Sequence, residues 1–384
     1  MNLLFCLDTT FSRKNGGIAA VSLTLKKGLE SKGHKCFLLS AKKNQEDSTE
    51  EQYYLPISET KSNIGENRIW FRDFIKGNHI DVIVNQNGGT PSSLWALKWS
   101  KDLPVRKLTV YHGDFNSLWA CHKNSLLKNV FVKSFHLRPF VNYIWKNLFR
   151  LKYRCLLRVQ YHLSDRLVFL SDKYFGGFEW FSGIKKDERF VSIPNPVEDI
   201  FNVNIRDLQK ENIVLYVGRL SLEKRIDYLL EVWKKISEDH PDWSLYVIGD
   251  GPMRKHYENI ANSLLLKNIQ FEGFNPPLEY YKQSKLFCLT SETEGFGLVL
   301  VEAMSCGCVP LAFNSYASAS DIIDNGESGI LVPPFDVDTY AKKLSFLMDD
   351  EERLRCMAKA AKEKAKNFSL ERIVTEWEKM FEDR

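Results

Sequence analysis

The chain has 384 residues, of which 44% are apolar and 27% are charged, and its formal net charge is +4. This length predicts two or three domains, and the composition excludes a fibrous or a disordered protein. The eight cysteines are scattered and lack zinc-ligand spacing, which indicates free thiols. The absence of an export signal or a membrane-spanning run predicts a cytoplasmic protein.

The first half alternates short apolar runs with amphipathic stretches, which predicts an α/β domain with a parallel sheet. A strand at residues 2–7, a helix from about residue 18 to residue 31 and a strand at 35–39 complete a βαβ unit. Further strands are predicted at residues 81–85, 107–111, 166–170 and 190–193.

Two features of this half follow strands, where open α/β sheets bind their ligands. Gly16 and Gly17 precede the first helix, and such a pair lets the backbone approach a phosphate or a sugar closely. His112 follows the strand at 107–111. A plain loop and a structural histidine are the alternative interpretations.

The first half is also basic. Residues 1–200 contain 30 Lys and Arg against 19 Asp and Glu, and the stretch 115–164 contains nine of these bases and no acid. Interleaved Leu, Phe and Trp are typical of a helix that lies on an anionic membrane surface. A solvated face of a helix docked on its own domain is an alternative, and nucleic-acid binding has no motif to support it. The bases predicted to form the membrane or acceptor surface are Lys146, Arg150, Lys152 and Arg154.

The same alternation restarts after Asn195-Pro196, which predicts a second domain of the same class and a ligand cleft between the two. Neither half has G-x-G-x-x-G after its first strand, which disfavours a dinucleotide-dependent dehydrogenase. The second-half strands are predicted at residues 213–217, 243–248, 269–272, 286–290, 309–313 and 330–332, and helices at 226–236, 337–348, 352–366 and 370–381.

The most informative stretch follows the strand at 286–290. Glu294 lies at the turn, Gly295 and Gly297 permit a tight bend, and a helix is expected to begin near Gly297. The backbone N–H groups at such a helix start favour an anion. Glu302 lies within that helix, where a carboxylate suits a pair of hydroxyls such as a ribose diol. Two ordinary helix-surface acids are the alternative.

A second group of candidate site residues follows the strand at 213–217. Arg219 comes directly after Gly218, and Lys224 lies near the start of the next helix. Two cations at the carboxyl end of a strand can neutralise a diphosphate. The alternative is two solvated bases.

Further motifs stand in a fixed order around these residues. They are Ile193-Pro-Asn-Pro196, Gly218-Arg219-Leu, Gly249-Asp-Gly-Pro252, Phe271-Glu-Gly273, Glu294-x7-Glu302 and Asn325-Gly-Glu-Ser-Gly329. With them the chain resembles family four of the retaining glycosyltransferases, which have the GT-B fold of two Rossmann-like domains. The resemblance implies an acceptor-binding domain at 1–197, a nucleotide-sugar-binding domain at 198–368 and a C-terminal helix at 369–384 that packs back on the first domain.

The resemblance also implies roles for individual residues. Arg219 and Lys224 would hold the donor diphosphate, and Glu302 would bind the ribose hydroxyls. Glu294 and the amides that follow it would hold the sugar. The predicted catalytic residues are Glu294 and His112, the latter near the anomeric centre. The predicted donor-binding residues are Gly16, Gly17, Arg219, Lys224, Gly295, Phe296, Gly297, Leu298 and Glu302.

The family is metal-independent, so neither a metal nor another cofactor is expected, and cations and helix N-termini would stabilise the leaving nucleotide. The expected activity is that of a retaining hexosyltransferase in surface polysaccharide or lipopolysaccharide biosynthesis, with a UDP-sugar favoured over a GDP-sugar. The acceptor is expected to be a glycan, lipid-linked, with the protein held peripherally on the inner face of the cell membrane and no nucleic acid as partner.

Two other functions remain as alternatives. One is a nucleotide-sugar epimerase of GT-B fold, and the other is a non-catalytic partner that binds nucleotide-sugars. The sequence departs from the family pattern at two places. Arg225 stands where glycine usually follows the lysine, and Ser318-Ala-Ser320 replaces a glycine pair.

Overall fold

The computed structural model describes residues 1–13, 16–43, 50–57, 64–116, 119, 138–204 and 208–382. The chain divides into two compact units. The first comprises Met1–Pro196 and the C-terminal segment that begins at Leu370, and the second comprises Val197–Ser369. These boundaries lie one residue from those expected from the sequence. Each unit contains one parallel sheet flanked by helices, so the prediction of two Rossmann-like α/β domains is confirmed.

The first unit has a seven-stranded sheet in the order β3-β2-β1-β4-β5-β6-β7. β1 lies in the middle, where Leu3 pairs with Cys36 on one side and Val82 on the other. The elements of this unit are β1 Asn2–Leu7, α1 Gly17–Ser31, β2 Lys35–Ser40, β3 Tyr53–Tyr54, α2 Ile64–Gly77, β4 Val82–Asn85, α3 Leu94–Trp99, β5 Arg106–Tyr111, α4 Arg138–Leu163, β6 Arg166–Phe169, α5 Phe175–Ser182 and β7 Phe190–Ser192.

The second unit has a six-stranded sheet in the order β10-β9-β8-β11-β12-β13. Its first strand β8 therefore lies between β9 and β11, and the loops after these three strands meet at one sheet edge. The elements are β8 Glu211–Val217, α6 Ile226–Ile236, β9 Ser244–Ile248, α7 Arg254–Ser263, β10 Ile269–Gly273, α8 Leu278–Gln283, β11 Ser284–Leu289, α9 Leu298–Ser305, β12 Val309–Phe313, α10 Ala319–Ile322, β13 Ile330–Val332, α11 Val337–Asp349, α12 Glu351–Ala365 and, returning to the first unit, α13 Leu370–Glu382.

The strands predicted from apolar runs are all present, with ends within two residues of the expected ones. The short strand Tyr53–Tyr54 was not predicted, because two half-buried residues make no recognisable apolar run. Among the described residues, no helix combines the length and the apolar character that crossing a bilayer requires. The 26-residue α4 is long enough, but it carries several bases.

The central strand β1 supplies side chains to both faces of the first sheet because successive residues of a strand point to opposite sides. Leu3 and Phe5 belong to a core closed by α1 and α13, whereas Leu4 and Cys6 belong to a core closed by α2 and α3. The C-terminal helix α13 is therefore part of the first unit and covers one of its two apolar faces.

Helix α13 is fixed to this unit by close packing and by polar contacts at its end. At Gly28 of α1, an added Cβ would lie 2.5 Å from Val374 and 2.8 Å from Leu370. Arg106 donates a hydrogen bond to the Phe381 carbonyl (2.7 Å), and His34 lies 3.2 Å from the Glu378 carboxylate.

We expect Gly28→Val to destabilise the first unit by about 1–3 kcal/mol, because the extra carbons overpack the α1–α13 contact. Differential scanning calorimetry should show a lower midpoint for the transition of this unit. The matched control is Gly65→Val in α2, where an added Cβ meets nothing within 4 Å. Equal midpoints for the two variants would show that α1 and α13 are not in close contact.

Candidate active site

Two loops at the carboxyl ends of β8 and β9 are joined backbone to backbone. The Gly218 amide donates to the Ile248 carbonyl (3.0 Å), and the Leu220 amide donates to the Asp250 carbonyl (2.9 Å). Gly249 has a φ of 137°, and a Cβ there would overlap the carbonyl oxygen of Gly218. The glycine motif that begins at Gly249 thus lets the two loops touch, and this contact holds the exposed Arg219 at the sheet edge.

Lys224 and Glu294, which the sequence places in separate motifs, form an ion pair. The Lys224 ammonium donates to both carboxylate oxygens of Glu294 at 2.7 Å, and both side chains are mostly buried. The Ser291 hydroxyl donates to the same carboxylate at 2.6 Å. The pair connects the turn after β8 with the loop after β11.

Two serine hydroxyls hold the Glu294 loop through its backbone carbonyl groups. The Ser315 hydroxyl donates to the Ser291 carbonyl (2.6 Å), and the Ser318 hydroxyl donates to the Phe296 carbonyl (2.8 Å). Neither serine was predicted from the sequence to belong to the site. The only signal was that Ser318 departs from the glycine expected there, and the structure shows that its hydroxyl supports the loop.

Helix α9 begins at Leu298, as predicted from the glycines before it. Gly297 precedes the helix with a φ of 94°, and an added Cβ would lie 3.2 Å from the Tyr316 hydroxyl. Phe296 is buried, with its ring 5.7 Å from that of Phe368. The Phe296 side chain therefore packs inward, so it is not the side chain that a ligand at this loop would contact. Gly295 lies exposed at the outer edge of this loop.

Glu302 is half-buried on α9, one turn inside the helix. Its Oε2 accepts a hydrogen bond from the Tyr281 hydroxyl (3.0 Å), and Oε1 has no protein partner within the described ranges. Burial raises the pKa of Glu302 to about 7, with Tyr281 opposing the shift and Glu198 adding to it. Tyr281 was missed from the sequence, since nothing local to residue 281 indicates a contact with residue 302.

Arg225 has the left-handed backbone that glycine would adopt, with a φ of 49°. Its guanidinium contacts the Asp227 carboxylate at 2.8 Å and lies 3.7 Å from the centre of the Tyr228 ring. These contacts of the side chain offset the unfavourable φ. They also direct Arg225 toward its own helix α6, so it does not join Arg219 and Lys224 as a third cation.

The first unit contains the other predicted site residues. Gly16 caps α1 with a φ of 97°, Gly17 is the first helical residue, and a Cβ at either would meet nothing within 4 Å. His112 lies 2.7 Å from the Gln86 side-chain oxygen, so its Nε2–H donates there and Nδ1 is the basic nitrogen. Burial lowers the pKa of His112 to about 4, which keeps the ring neutral. Gln86 was not identified from the sequence.

The four predicted surface bases on α4 have different environments. Lys146 and Arg150 lie over the Trp180 ring of α5, at 4.9 and 4.7 Å from its centre. Arg154 is half-buried near Gly183, and Lys152 is exposed. Three other bases of the predicted basic segment, Lys123, Lys128 and Lys133, lie outside the described residues.

The structure thus brings Lys224 and Glu294 into contact, with Arg219 at the same sheet edge and Glu302 on the helix that follows. The residues Gly16, Gly17 and His112 belong to the other unit. In the part of the chain that the structure describes, no three His, Cys, Asp or Glu side chains come together as a metal-ion site would need.

Comparison with known families gives two matches that together span most of the chain. A model described as Glycosyltransferase Family 4 matches residues 15–199, and one described as Glycosyl transferases group 1 matches residues 199–364.

Curated relatives carry related names. An uncharacterized glycosyltransferase of Haemophilus influenzae is 30% identical over 194 residues, which is 50% of this chain and 55% of that protein. A Campylobacter jejuni transferase that adds N-acetyl-D-galactosamine to a diNAcBac-PP-undecaprenol glycan is 29% identical over 237 residues, 59% of this chain and 63% of that protein. The chain therefore spans less than two thirds of either relative.

Solved structures share the fold over the whole chain. Anabaena HepE in complex with UDP and glucose superposes with a TM-score of 0.76 at 15% identity and covers 100% of both chains. The lipopolysaccharide outer core galactosyltransferase WaaB in its apo form gives 0.69 at 18% identity and covers 98% of both. These similarities establish the GT-B fold. The two family models together cover residues 15–364 and show that the chain is built of a Glycosyltransferase Family 4 domain followed by a Glycosyl transferases group 1 domain.

Proposed function

We propose that this protein is a retaining hexosyltransferase that moves a sugar from a nucleotide-sugar to a glycan acceptor in surface polysaccharide or lipopolysaccharide biosynthesis. The observation that carries the proposal is the Lys224–Glu294 pair beside Arg219 at the carboxyl edge of the second sheet. Two relatives, one named as an exopolysaccharide phosphotransferase and one as an amylovoran biosynthesis glycosyltransferase, support the pathway class.

The donor diphosphate would lie between Arg219, Lys224 and the first turn of α9. An ammonium has three N–H donors, and Glu294 takes two of those on Lys224. The third can reach a phosphate oxygen, so Lys224 would link the diphosphate to the carboxylate that holds the sugar. Cations and the helix N-terminus would stabilise the leaving nucleotide, and the reaction is proposed to need no metal.

Glu302 would bind the ribose diol of the nucleotide. Its Oε1 is open to accept from a hydroxyl, while Tyr281 orients the carboxylate through Oε2. A ribose is common to UDP and GDP, so this contact does not choose between them. We retain UDP as the favoured nucleotide because the structural neighbours include a complex with UDP and glucose.

In the first unit, neutral His112 would lie near the anomeric centre, where its Nδ1 can accept a hydrogen bond without adding a charge. Gly16 and Gly17 start α1 without side chains, and the helix start would approach the diphosphate.

The acceptor would bind this unit. A lipid-linked acceptor and peripheral attachment to the inner face of the cell membrane are proposed from the undecaprenol-linked acceptor named for the Campylobacter relative and from the basic segment.

Incubation with a panel of radiolabelled UDP- and GDP-sugars tests this function. We expect transfer from a UDP-sugar to extracted lipid-linked glycan, with the α-anomer retained in the product and full activity in EDTA. Epimerised free donor would support the epimerase instead, and donor binding without turnover would indicate a non-catalytic partner. Activity that returns only with added magnesium or manganese would contradict the metal-free mechanism.

Mutations should distinguish the residues proposed to hold the donor diphosphate, Arg219 and Lys224, from Glu294, which is proposed to hold the sugar. We call Arg219 and Lys224 the donor clamp. Arg219→Ala and Lys224→Ala should each weaken donor binding by about 1.5–3 kcal/mol, the range for a hydrogen bond to a charged group, measured by calorimetry. Lys234→Ala is the matched control, since Lys234 pairs with exposed Glu238 on the surface of α6. Glu294→Gln should lower turnover more than nucleotide affinity. Unchanged donor affinity in both clamp variants would overturn the assignment.

Donor affinity should depend on pH through Glu302. Its pKa of about 7 leaves roughly a tenth of the side chain ionised at pH 6, and only the carboxylate accepts from both ribose hydroxyls. Binding should therefore weaken as the pH falls, roughly tenfold from pH 8 to pH 6. An intact nucleotide-sugar is the correct probe, because the terminal phosphate of free UDP titrates in the same range. In Glu302→Gln the affinity should be lower and constant across this range. A steep pH dependence that persists in this variant would assign the titration to another group.

A further inference from the structure

The carboxylate of Asp8 lies at the carboxyl edge of the first sheet, directly after the central strand β1. Its Oδ1 is buried, whereas its Oδ2 accepts an exposed hydrogen bond from the Ser92 hydroxyl. Burial raises the pKa of Asp8, and nearby groups oppose this shift, namely the hydrogen-bond donors Ser92, Trp95 and Asn87 and the charge of Lys42. Since a carboxylate oxygen can accept two hydrogen bonds, Oδ2 can take a second one from a ligand.

Asp8 shares this edge of the sheet with His112. The loops after β1, β4 and β5 contain Asp8, Asn87 and His112, and these three strands are neighbours in the sheet. Neighbouring strands are about 4.8 Å apart, so the strands that precede Asp8 and His112 are separated by about 10 Å. This separation is enough for one sugar residue to lie over the loop after β4, between Asp8 and His112.

Two glutamine side chains hold the loops at this edge. Gln52 binds the loop after β1, since it accepts from the Phe11 amide (2.9 Å) and donates to the Phe11 carbonyl (3.1 Å). The buried Gln160 of α4 accepts from the Gly89 amide in the loop after β4 (3.1 Å). Both loops are therefore ordered before a ligand binds, which lowers the ordering cost of binding.

The groups at this edge require a ligand that donates hydrogen bonds. Oδ2 of Asp8 and Nδ1 of neutral His112 are both acceptors, and a sugar hydroxyl can donate to either of them. The carboxylate of a uronic acid brings only acceptors and a negative charge, which Asp8 would repel. Lys42, the cation whose charge acts on Asp8, is exposed, so solvent and salt screen it and it would offset this repulsion only weakly.

We propose that Asp8 binds a hydroxyl group of the acceptor's terminal sugar and thereby selects acceptors that end in a neutral sugar. The sugar would lie between Asp8 and His112, with one hydroxyl donating to Oδ2 of Asp8 and another directed to Nδ1 of His112. This subsite rests on the proposed function, because it would hold the acceptor of the proposed transfer. It adds to that function a residue that distinguishes neutral from acidic acceptors.

Ligand-observed NMR with the full chain tests the subsite without requiring sugar transfer. The probes are the methyl glycosides of glucose and galactose, each compared at neutral pH with the glycoside of its uronic acid. We expect wild type to bind each uronic acid glycoside at least about tenfold more weakly than the neutral one, because the charge of Asp8 opposes it. In Asp8→Asn, which keeps the shape of the side chain without its charge, the two members of a pair should bind within about threefold of each other.

Transfer kinetics then separate ligand binding from loop support. At a saturating nucleotide-sugar concentration, Asp8→Ala should lower kcat/KM for the acceptor by roughly ten- to a hundredfold, the fold-change of a lost hydrogen bond to a charged group, with KM for the donor unchanged. Ser92→Ala, which removes the hydrogen bond to Asp8 and leaves the carboxylate, should lose less. Asp73→Ala is the matched control, because Asp73 is an exposed carboxylate on α2 of the same unit, and it should behave like wild type. Circular dichroism melting shows that each variant is folded.

Three results would overturn the subsite. These are equal binding of neutral and acidic probes to wild type, undiminished discrimination in Asp8→Asn, and equal kinetic losses in Asp8→Ala and Ser92→Ala. The two proposals can fail separately. If no sugar is transferred but the binding of neutral glycosides depends on Asp8, the proposed function fails and the subsite stands. If transfer occurs and Asp8→Ala keeps the acceptor kinetics of wild type, the proposed function stands and the subsite fails.

Discussion

The ion pair between Lys224 and Glu294 is the contact on which the arrangement of the site depends. It joins the turn after β8 to the loop after β11, which are 70 residues apart in the chain but follow neighbouring strands. Both side chains are mostly buried, so each charge would lose hydration without replacement if the other were absent. The pair therefore keeps two loops together, and it leaves one of the three N–H donors of Lys224 unused by Glu294.

Neutral groups support this charged centre. Ser315 and Ser318 hold the Glu294 loop through its carbonyls, and the glycine contact at Gly249 holds the Arg219 loop through its backbone. None of these groups needs to contact a ligand. They fix the loops before a ligand arrives, which lowers the ordering cost of binding.

Burial disfavours the charged form of two titratable site residues, His112 and Glu302. It lowers the pKa of His112 to about 4, so the ring stays uncharged at neutral pH. It raises the pKa of Glu302 to about 7, so the carboxylate is only partly ionised there. The first effect suits the hydrogen-bonding role proposed for His112, and the second underlies the pH dependence predicted for nucleotide binding.

The sequence by itself determined the alternation of strands and helices, the domain class and the positions of Arg219, Glu294 and His112 at strand ends. These are local properties, since apolar periodicity and glycine positions act over a few residues. Only the tertiary structure decided that Lys224 contacts Glu294, that Tyr281 orients Glu302 and that Gln86 fixes the tautomer of His112. It also decided which face of α4 is buried. A helix with apolar residues on two faces does not specify which one its neighbours cover, because that depends on the shape and charge of segments distant in the chain.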